Sequence, residues 1–193
     1  MRRYYGRASH APADRSFRCD GFVRDGVIAT ASGDRLPLSQ LPPFLRALLV
    51  TDGTVTKILE AYFWEPVIVE TLQQDFDVAT DVVPWIQLAV GDRCLVREAR
   101  LYGMDSGRCF ADAFSLIRSD LIPPRFYQRL IDREIGIGVL IRDSGLESYR
   151  EVLDVGLECQ TAGAEAIFRT YRIFIDRQPV ILITEYFPLA LYR

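Results

Sequence analysis

Two charged side chains fall on the apolar faces of predicted strands, and both have the chemistry to act on a ligand. In the strand predicted over 180–187, side chains alternate between faces, which groups Glu185 with Ile181, Ile183 and Phe187. In the strand predicted over 93–102, the same alternation groups Arg97 with Leu95, Ala99 and Leu101. A buried charge is costly unless it is paired, hydrogen-bonded or neutralised. Each side chain therefore needs a partner, supplied by the fold or by a ligand.

Two interpretations of this pair are open from the residue pattern. In the first, Arg97 and Glu185 are structural, paired with each other or with separate partners inside the fold. In the second, they line a buried polar pocket, and Arg97 binds an anionic ligand at one end. Arginine suits that task because its planar guanidinium is always charged and can hold a carboxylate with two hydrogen bonds.

Composition limits the class of protein. The chain has 193 residues, of which 49% are hydrophobic and 25% charged, as expected for a soluble globular protein. We predict an irregular N-terminal arm over 1–40 and one domain over 41–193. The net charge of −3 does not favour nucleic-acid binding. No apolar run indicates a secretory signal or a membrane span, so we expect a cytoplasmic protein with no membrane partner. We expect the protein to be a monomer or a homodimer.

The cysteines and the histidine do not favour a metal site. Cys19, Cys94, Cys109 and Cys159 form no closely spaced pair, and His10 lies in the predicted arm. A zinc site needs more closely clustered ligands than these. A triad that depends on histidine also has no core residue to start from. We therefore expect no metal.

The order of predicted elements indicates an α+β fold. Helices are predicted over 44–50, 54–63 and 125–132, and strands over 65–76, 93–102, 108–117, 151–159 and a closing hairpin from 166 to 187. Hairpins dominate over strand–helix–strand crossovers, which favours one antiparallel sheet of about six strands.

Two glycine-containing segments have candidate binding roles. The run from Gly136 to Gly138 has two glycines but no strand-to-helix crossover before it, so we predict a tight turn and not a nucleotide-binding loop. The run from Thr51 to Thr56 precedes a predicted helix, where backbone N–H groups can bind an anion. Ordinary helix capping is the preferred interpretation of the second run.

Four segments, in order, resemble the chorismate pyruvate-lyase (4-hydroxybenzoate synthase) family. They are an opening motif over 48–60, an arginine strand at Leu95-Val-Arg-Glu98, a glycine segment at Gly136-Ile-Gly-Val-Leu140, and a closing hairpin over 172–188. The similarity spans roughly residues 40–190. It implies a six-stranded antiparallel sheet with helices on one side and helical flaps over a buried site.

The resemblance also implies an activity and a set of site residues. The reaction is the cofactor-free conversion of chorismate to 4-hydroxybenzoate and pyruvate, with Arg97 and Glu185 as catalytic residues. Arg97 holds the ring carboxylate, and Glu185 lies by the hydroxyl end of the ring. The turn over 52–54 is one residue longer than in some members of the family. The implied substrate-binding residues besides those two are Val55, Thr56, Ile137 and Gly138.

Two alternative functions remain at this point. The protein could be a lyase for a related enolpyruvyl ring acid, such as isochorismate or aminodeoxychorismate, because a glutamate suits a hydroxyl and an amine alike. It could also be a non-catalytic effector-binding domain of the same fold. That role needs a DNA-binding domain, which a 40-residue arm is too short to supply.

Overall fold

A computed structural model describes residues 26–30, 35–131, 136–159 and 164–193. The helices are α1 (Pro43–Val50), α2 (Val55–Phe63), α3 (Pro124–Ile131) and α4 (Ile137–Asp143). The strands are β1 (Val27–Thr30), β2 (Arg35–Pro37), β3 (Val67–Val78), β4 (Arg93–Gly103), β5 (Cys109–Ile117), β6 (Ser148–Cys159), β7 (Glu165–Ile175) and β8 (Gln178–Pro188).

One sheet contains all eight of these strands, in the order β2-β1-β6-β7-β8-β5-β4-β3. The six long strands, from β6 to β3 in that order, pair antiparallel throughout, which confirms the predicted sheet. The last hairpin is closed by Asp176 and Arg177, both with positive φ, as a two-residue turn between strands requires. Strands β1 and β2 extend the sheet at the β6 edge, where β1 runs parallel to β6.

The four helices pack on one face of the sheet, as predicted. Helices α1 and α2 bury Leu45, Leu49 and Leu59 in a cluster with Phe110 of β5 and Phe187 of β8. Helices α3 and α4 contribute to a second cluster on the same face, with inward side chains of β4, β7 and β8. The site described below lies where these two clusters meet.

A long connection covers the opposite face. The segment between β3 and β4 contains a 3-10 helix at Pro84–Ile86. Trp85 and Ile86 pack there against Phe114 and Leu182, whose side chains point away from the helices. Both faces of the central strands are therefore buried, which explains why β8 is apolar on both faces.

The predicted arm over 1–40 lies mostly outside the described residues. Within its described part the chain forms β1 and β2, which pair with each other and, through β1, with β6. Leu38 is buried in the same cluster as helices α1 and α2. The division into an arm over 1–40 and a domain over 41–193 stays a prediction.

The turn predicted from Gly136 to Gly138 is wrong. Gly136 takes an extended conformation as the N-cap residue, and Gly138 lies in the first turn of α4. The apolar side chains of Ile137, Leu140 and Ile141 pack into the core, and this packing outweighs the low helix propensity of glycine. A Cβ on Gly136 would lie 3.4 Å from Val69, which is ordinary contact, so no close approach of the backbone requires glycine there.

The described part of the chain has neither a helix suited to cross a membrane nor a cluster of metal-binding side chains. None of the helices in that part of the chain has the length and apolar character needed to cross a membrane. No group of three or more His, Cys, Asp or Glu side chains there is placed to hold a metal ion.

Candidate active site

A pocket of about 70 Å³ opens between the sheet and the ends of two helices. Its floor is formed by the inner faces of the central strands, and its roof by the start of α2 and the start of α4. All six site residues predicted from the sequence line it, namely Val55, Thr56, Arg97, Ile137, Gly138 and Glu185. The structure thus brings together segments that are up to 130 positions apart in the sequence.

Small side chains on the floor leave the space for this pocket. Ala99 of β4 lies directly opposite Ala113 of β5, and Ser115 follows on the same face of β5. Larger residues such as Leu101 and Ile183 border the hollow. Because packed interiors are close to crystal density, a cluster of small residues under two helix ends indicates room reserved for a ligand.

Arg97 lies deep in the site, with only 2% of its surface exposed. Its Nη2 atom donates a hydrogen bond to Thr71 Oγ1 at 2.8 Å, across the β3–β4 pair. Strand β3 has a bulge between Thr71 and Gln73, and bulges re-aim neighbouring side chains. The bulge therefore helps to place the hydroxyl that orients the guanidinium.

Glu185 is also buried, at 6% exposure, but its ionic partner is Arg169. Arg169 Nε donates to Glu185 Oε2 at 2.8 Å, and the Tyr171 hydroxyl donates to Oε1 at 3.1 Å. Among the described residues, no salt bridge joins Glu185 to Arg97. Of the structural interpretations left open above, the direct Arg97–Glu185 pair is wrong and a separate partner for Glu185 is correct.

Arg97 and Glu185 occupy different parts of the pocket because of the strand register. Arg97 pairs with Ser115 on β5, and Ser115 pairs with Ile183 on β8, so Glu185 is two strands away. Two strand spacings amount to roughly 10 Å, and the step from Ile183 to Glu185 adds about 7 Å along β8. This offset leaves room for a ring-sized ligand between the guanidinium and the carboxylate.

Arg169 connects Glu185 to the roof of the pocket. Its Nη1 atom donates to the backbone oxygens of Leu48 and Thr51, at the end of α1. Its guanidinium also stacks 4.8 Å from the ring centre of Tyr171. One buried cation thus holds both the carboxylate and the loop that leads into α2.

The phenol of Tyr171 stays protonated over the ordinary pH range. Burial raises the pKa of Tyr171 strongly, and the neighbouring Glu185 carboxylate raises that pKa further. Tyr171 therefore acts as a hydrogen-bond donor to Glu185.

Sequence reasoning missed Arg169, Tyr171 and Arg150. Strand β7 carries Ile167, Arg169, Tyr171 and Ile173 on one face, so the alternation that identified Arg97 would also have identified Arg169. Arg150 of β6 lines the pocket as well. Its strand has a register shift between Val152 and Asp154, which breaks the simple alternation beside it.

Comparisons with known proteins find relatives in one family. A model of the family described as "Chorismate pyruvate-lyase Rv2949c-like" matches residues 49–193. The chain is 34% identical over 170 residues to the chorismate pyruvate-lyase of Mycobacterium leprae, covering 82% of this chain and 80% of that protein. It is 30% identical over 162 residues to the chorismate pyruvate-lyase of Mycobacterium tuberculosis, covering 77% and 81%.

Solved structures share the fold at much lower sequence identity. The effector domain of PhnF from Mycobacterium smegmatis superimposes with a TM-score of 0.53 and 14% identity, covering 70% of this chain and 88% of that one. A likeness at this level of identity establishes the common fold alone.

Proposed function

The chain belongs to the Rv2949c-like chorismate pyruvate-lyase family, and we propose that it converts chorismate to 4-hydroxybenzoate and pyruvate without a cofactor. The observation that carries this proposal is that Arg97 and Glu185 line the same buried pocket, offset by about the size of a ring. Membership of the family indicates the class of substrate. The offset between Arg97 and Glu185 indicates how the ring of the substrate is oriented in the pocket.

In the proposed complex, Arg97 binds the carboxylate on the ring. A guanidinium makes two charge-assisted hydrogen bonds to a carboxylate, and these are about twice as strong as neutral ones. The backbone at Val55, Thr56, Ile137 and Gly138 forms the roof over the bound ring. The first N–H groups of α2 have no partner within the helix, so they can add hydrogen bonds to an anion there.

Glu185 lies at the other end, where we place the C4 hydroxyl of chorismate. Each carboxylate oxygen has two acceptor sites, and Arg169 and Tyr171 together use two of the four. One remaining site can accept the hydrogen bond of the C4 hydroxyl. The same carboxylate is then next to C4–H and accepts its proton.

The elimination that follows needs no redox change. The ether bond between C3 and the enolpyruvyl oxygen breaks, and the electron pair of the C4–H bond forms the C3–C4 double bond. The ring becomes aromatic as 4-hydroxybenzoate. The leaving enolate takes up a proton and becomes pyruvate. Positioning of the substrate in a site with little water supplies much of the rate in such a mechanism.

The test is incubation of the purified protein with chorismate in EDTA, following both products. We expect 4-hydroxybenzoate and pyruvate in equal amounts. Turnover that stops on chelation and returns with a divalent metal would contradict the cofactor-free part. Parallel incubation with aminodeoxychorismate, which has an amine at C4, tests whether the substrate is a related ring acid. Absence of both products from chorismate would overturn the proposal.

A further inference from the structure

A second arginine, Arg150, stands at the outer boundary of the pocket. It is half-buried on β6, and its Nη1 atom donates to the backbone oxygen of Asp52 at 2.8 Å. Its Nη2 atom lies 3.7 Å from the position of a Cβ on Gly138. Arg150 lines both the pocket and an adjoining cleft of about 320 Å³, so it separates the two spaces.

The charge of Arg150 is not balanced by an acidic side chain of the described residues. On the neighbouring strand, Arg169 pairs with Glu185 and Arg172 pairs with Glu151, whereas the hydrogen-bond acceptor of Arg150 is a neutral backbone oxygen. Because Arg169 already offsets Glu185, the carboxylate of the pocket does not balance the charge of Arg150 either. A ligand with more than one negative charge is the natural complement of such a pocket.

We infer that Arg150 binds the second carboxylate of the substrate, the one on the enolpyruvyl side chain. This inference rests on the proposed function. Chorismate has two carboxylates, and Arg97 at the inner end can bind only the one on the ring. With the ring held between Arg97 and Glu185, the side chain on C3 points toward a wall, and Arg150 is the cation at the pocket boundary.

This arrangement separates substrate from aromatic product. Cleavage of the C3–O bond leaves one carboxylate on each product, so 4-hydroxybenzoate makes no contact with Arg150. The contact therefore contributes to the binding of chorismate and of the transition state, and it is lost when pyruvate departs. Interactions of that kind promote turnover without holding the aromatic product in the site.

The test compares two ligands in the variant Arg150→Gln. We expect KM for chorismate to rise about 10- to 100-fold, because the variant loses one charge-assisted hydrogen bond to a carboxylate. The inhibition constant of 4-hydroxybenzoate should stay unchanged. Arg150→Lys, which keeps the charge, should recover part of the chorismate affinity. Arg142→Gln, at an exposed arginine of α4 paired with Asp143, is the matched control and should change neither constant.

Equal weakening of both ligands would overturn the inference, because Arg150 would then only hold the loop at Asp52. Calorimetric titration of chorismate and 4-hydroxybenzoate gives the same comparison without turnover. A wild-type protein that binds both ligands but releases no product would count against the proposed function alone. If Arg150→Gln fails to fold, Arg150→Lys is used for the same comparison. Unchanged affinity of Arg150→Lys for chorismate together with weakened affinity for 4-hydroxybenzoate would reject the proposed role of Arg150.

Discussion

At the scale of single residues, Glu185 depends on a buried cation that it shares with the loop after α1. Arg169 and Glu185 are almost fully enclosed, with side-chain exposures of 1% and 8%. Removing one partner of a buried ion pair leaves the other charge without compensation, and this costs more than the pair contributes in net terms. The chemistry proposed for Glu185 and its part in stability are therefore coupled.

Glu185→Gln is expected to lower the free energy of unfolding by about 3–5 kcal/mol, the usual loss when one member of a buried pair is neutralised. The physical reason is the guanidinium of Arg169, which remains buried without its counter-charge. Denaturant unfolding of the variant and the parent measures this loss. Unfolding curves with the same midpoint and slope in the variant and the parent would show that another group balances the charge of Arg169. A loss of stability in this variant does not by itself exclude a catalytic role, so turnover must be measured on the folded fraction.

Arg97→Ala is expected to weaken binding of 4-hydroxybenzoate by about 2–5 kcal/mol, as for truncation of one partner of a buried charge pair. The variant loses the guanidinium that we place at the ring carboxylate. Calorimetric titration measures the change. Thr71→Val removes the hydroxyl that orients Arg97 and should weaken the same ligand to a smaller extent. A folded Arg97→Ala protein that binds the product as tightly as the parent would assign Arg97 a purely structural role.

At the scale of elements, two strands hold the loop that forms the roof. Arg169 of β7 binds the oxygen of Thr51, and Arg150 of β6 binds the oxygen of Asp52. The roof is completed by the first turn of α4, where Gly138 approaches Thr54. Both helix starts are thus positioned by contacts with the sheet and with each other.

Gly138→Ala is expected to raise the free energy of unfolding by about 0.5 kcal/mol, because alanine favours a helix over glycine. The same substitution is expected to weaken chorismate binding. A Cβ here would lie 3.4 Å from Thr54 and 3.7 Å from Arg150, which is ordinary contact, so the fold accepts it. The added methyl group narrows the pocket at its roof. Thermal unfolding and KM for chorismate check the two effects. A more stable variant with unchanged KM would place Gly138 outside the ligand's reach.

The sequence predicts helices and strands where the apolar periodicity is strong. It misses an element where packing against the rest of the fold determines the local conformation. Alternation along β4 and β8 identified Arg97 and Glu185 as buried, because it places each charged side chain on the apolar face of its strand. The helix at Ile137–Asp143 was missed because Gly136 precedes it as the N-cap residue and Gly138 in its first turn lowers its propensity. The partner of Glu185 was missed because pairing between strands depends on register, which a single strand's pattern does not contain.

At the scale of the whole molecule, one sheet supports the site with both of its faces buried. The pocket lies between two apolar clusters, and the polar strand side chains that line it come from β4, β5, β6, β7 and β8. The site therefore assembles only when the sheet is complete. Several groups buried with it, including the phenols of Tyr171 and Tyr192, are held in their neutral forms.

Stability is expected to fall as the pH rises above about 10, the pKa of an unfolded tyrosine. Burial raises the pKa of Tyr171 and of Tyr192 in the fold, so between the unfolded and folded pKa values the unfolded chain releases protons that the native state keeps. The stabilisation is complete below pH 10 and declines above it. Burial also raises the pKa of Cys94 to about 11, and this adds to the decline from about pH 9.

Denaturant unfolding between pH 8 and 11 checks this expectation. The double variant Tyr171→Phe and Tyr192→Phe should show a shallower decline than the parent. Tyr149→Phe, at an exposed tyrosine, is the control and should follow the parent curve. A double variant that loses stability with pH as steeply as the parent would mean that other groups cause the alkaline decline.

The orientation of the aromatic ring tests the central claim most directly, and a crystal structure with 4-hydroxybenzoate measures it. We expect the product carboxylate to lie about 2.7–2.9 Å from the guanidinium nitrogens of Arg97, the range of charge-assisted hydrogen bonds. The hydroxyl should lie within hydrogen-bond distance of Glu185, with Arg150 making no contact. A ring bound with its hydroxyl at Arg97, or bound outside this pocket, would contradict the account.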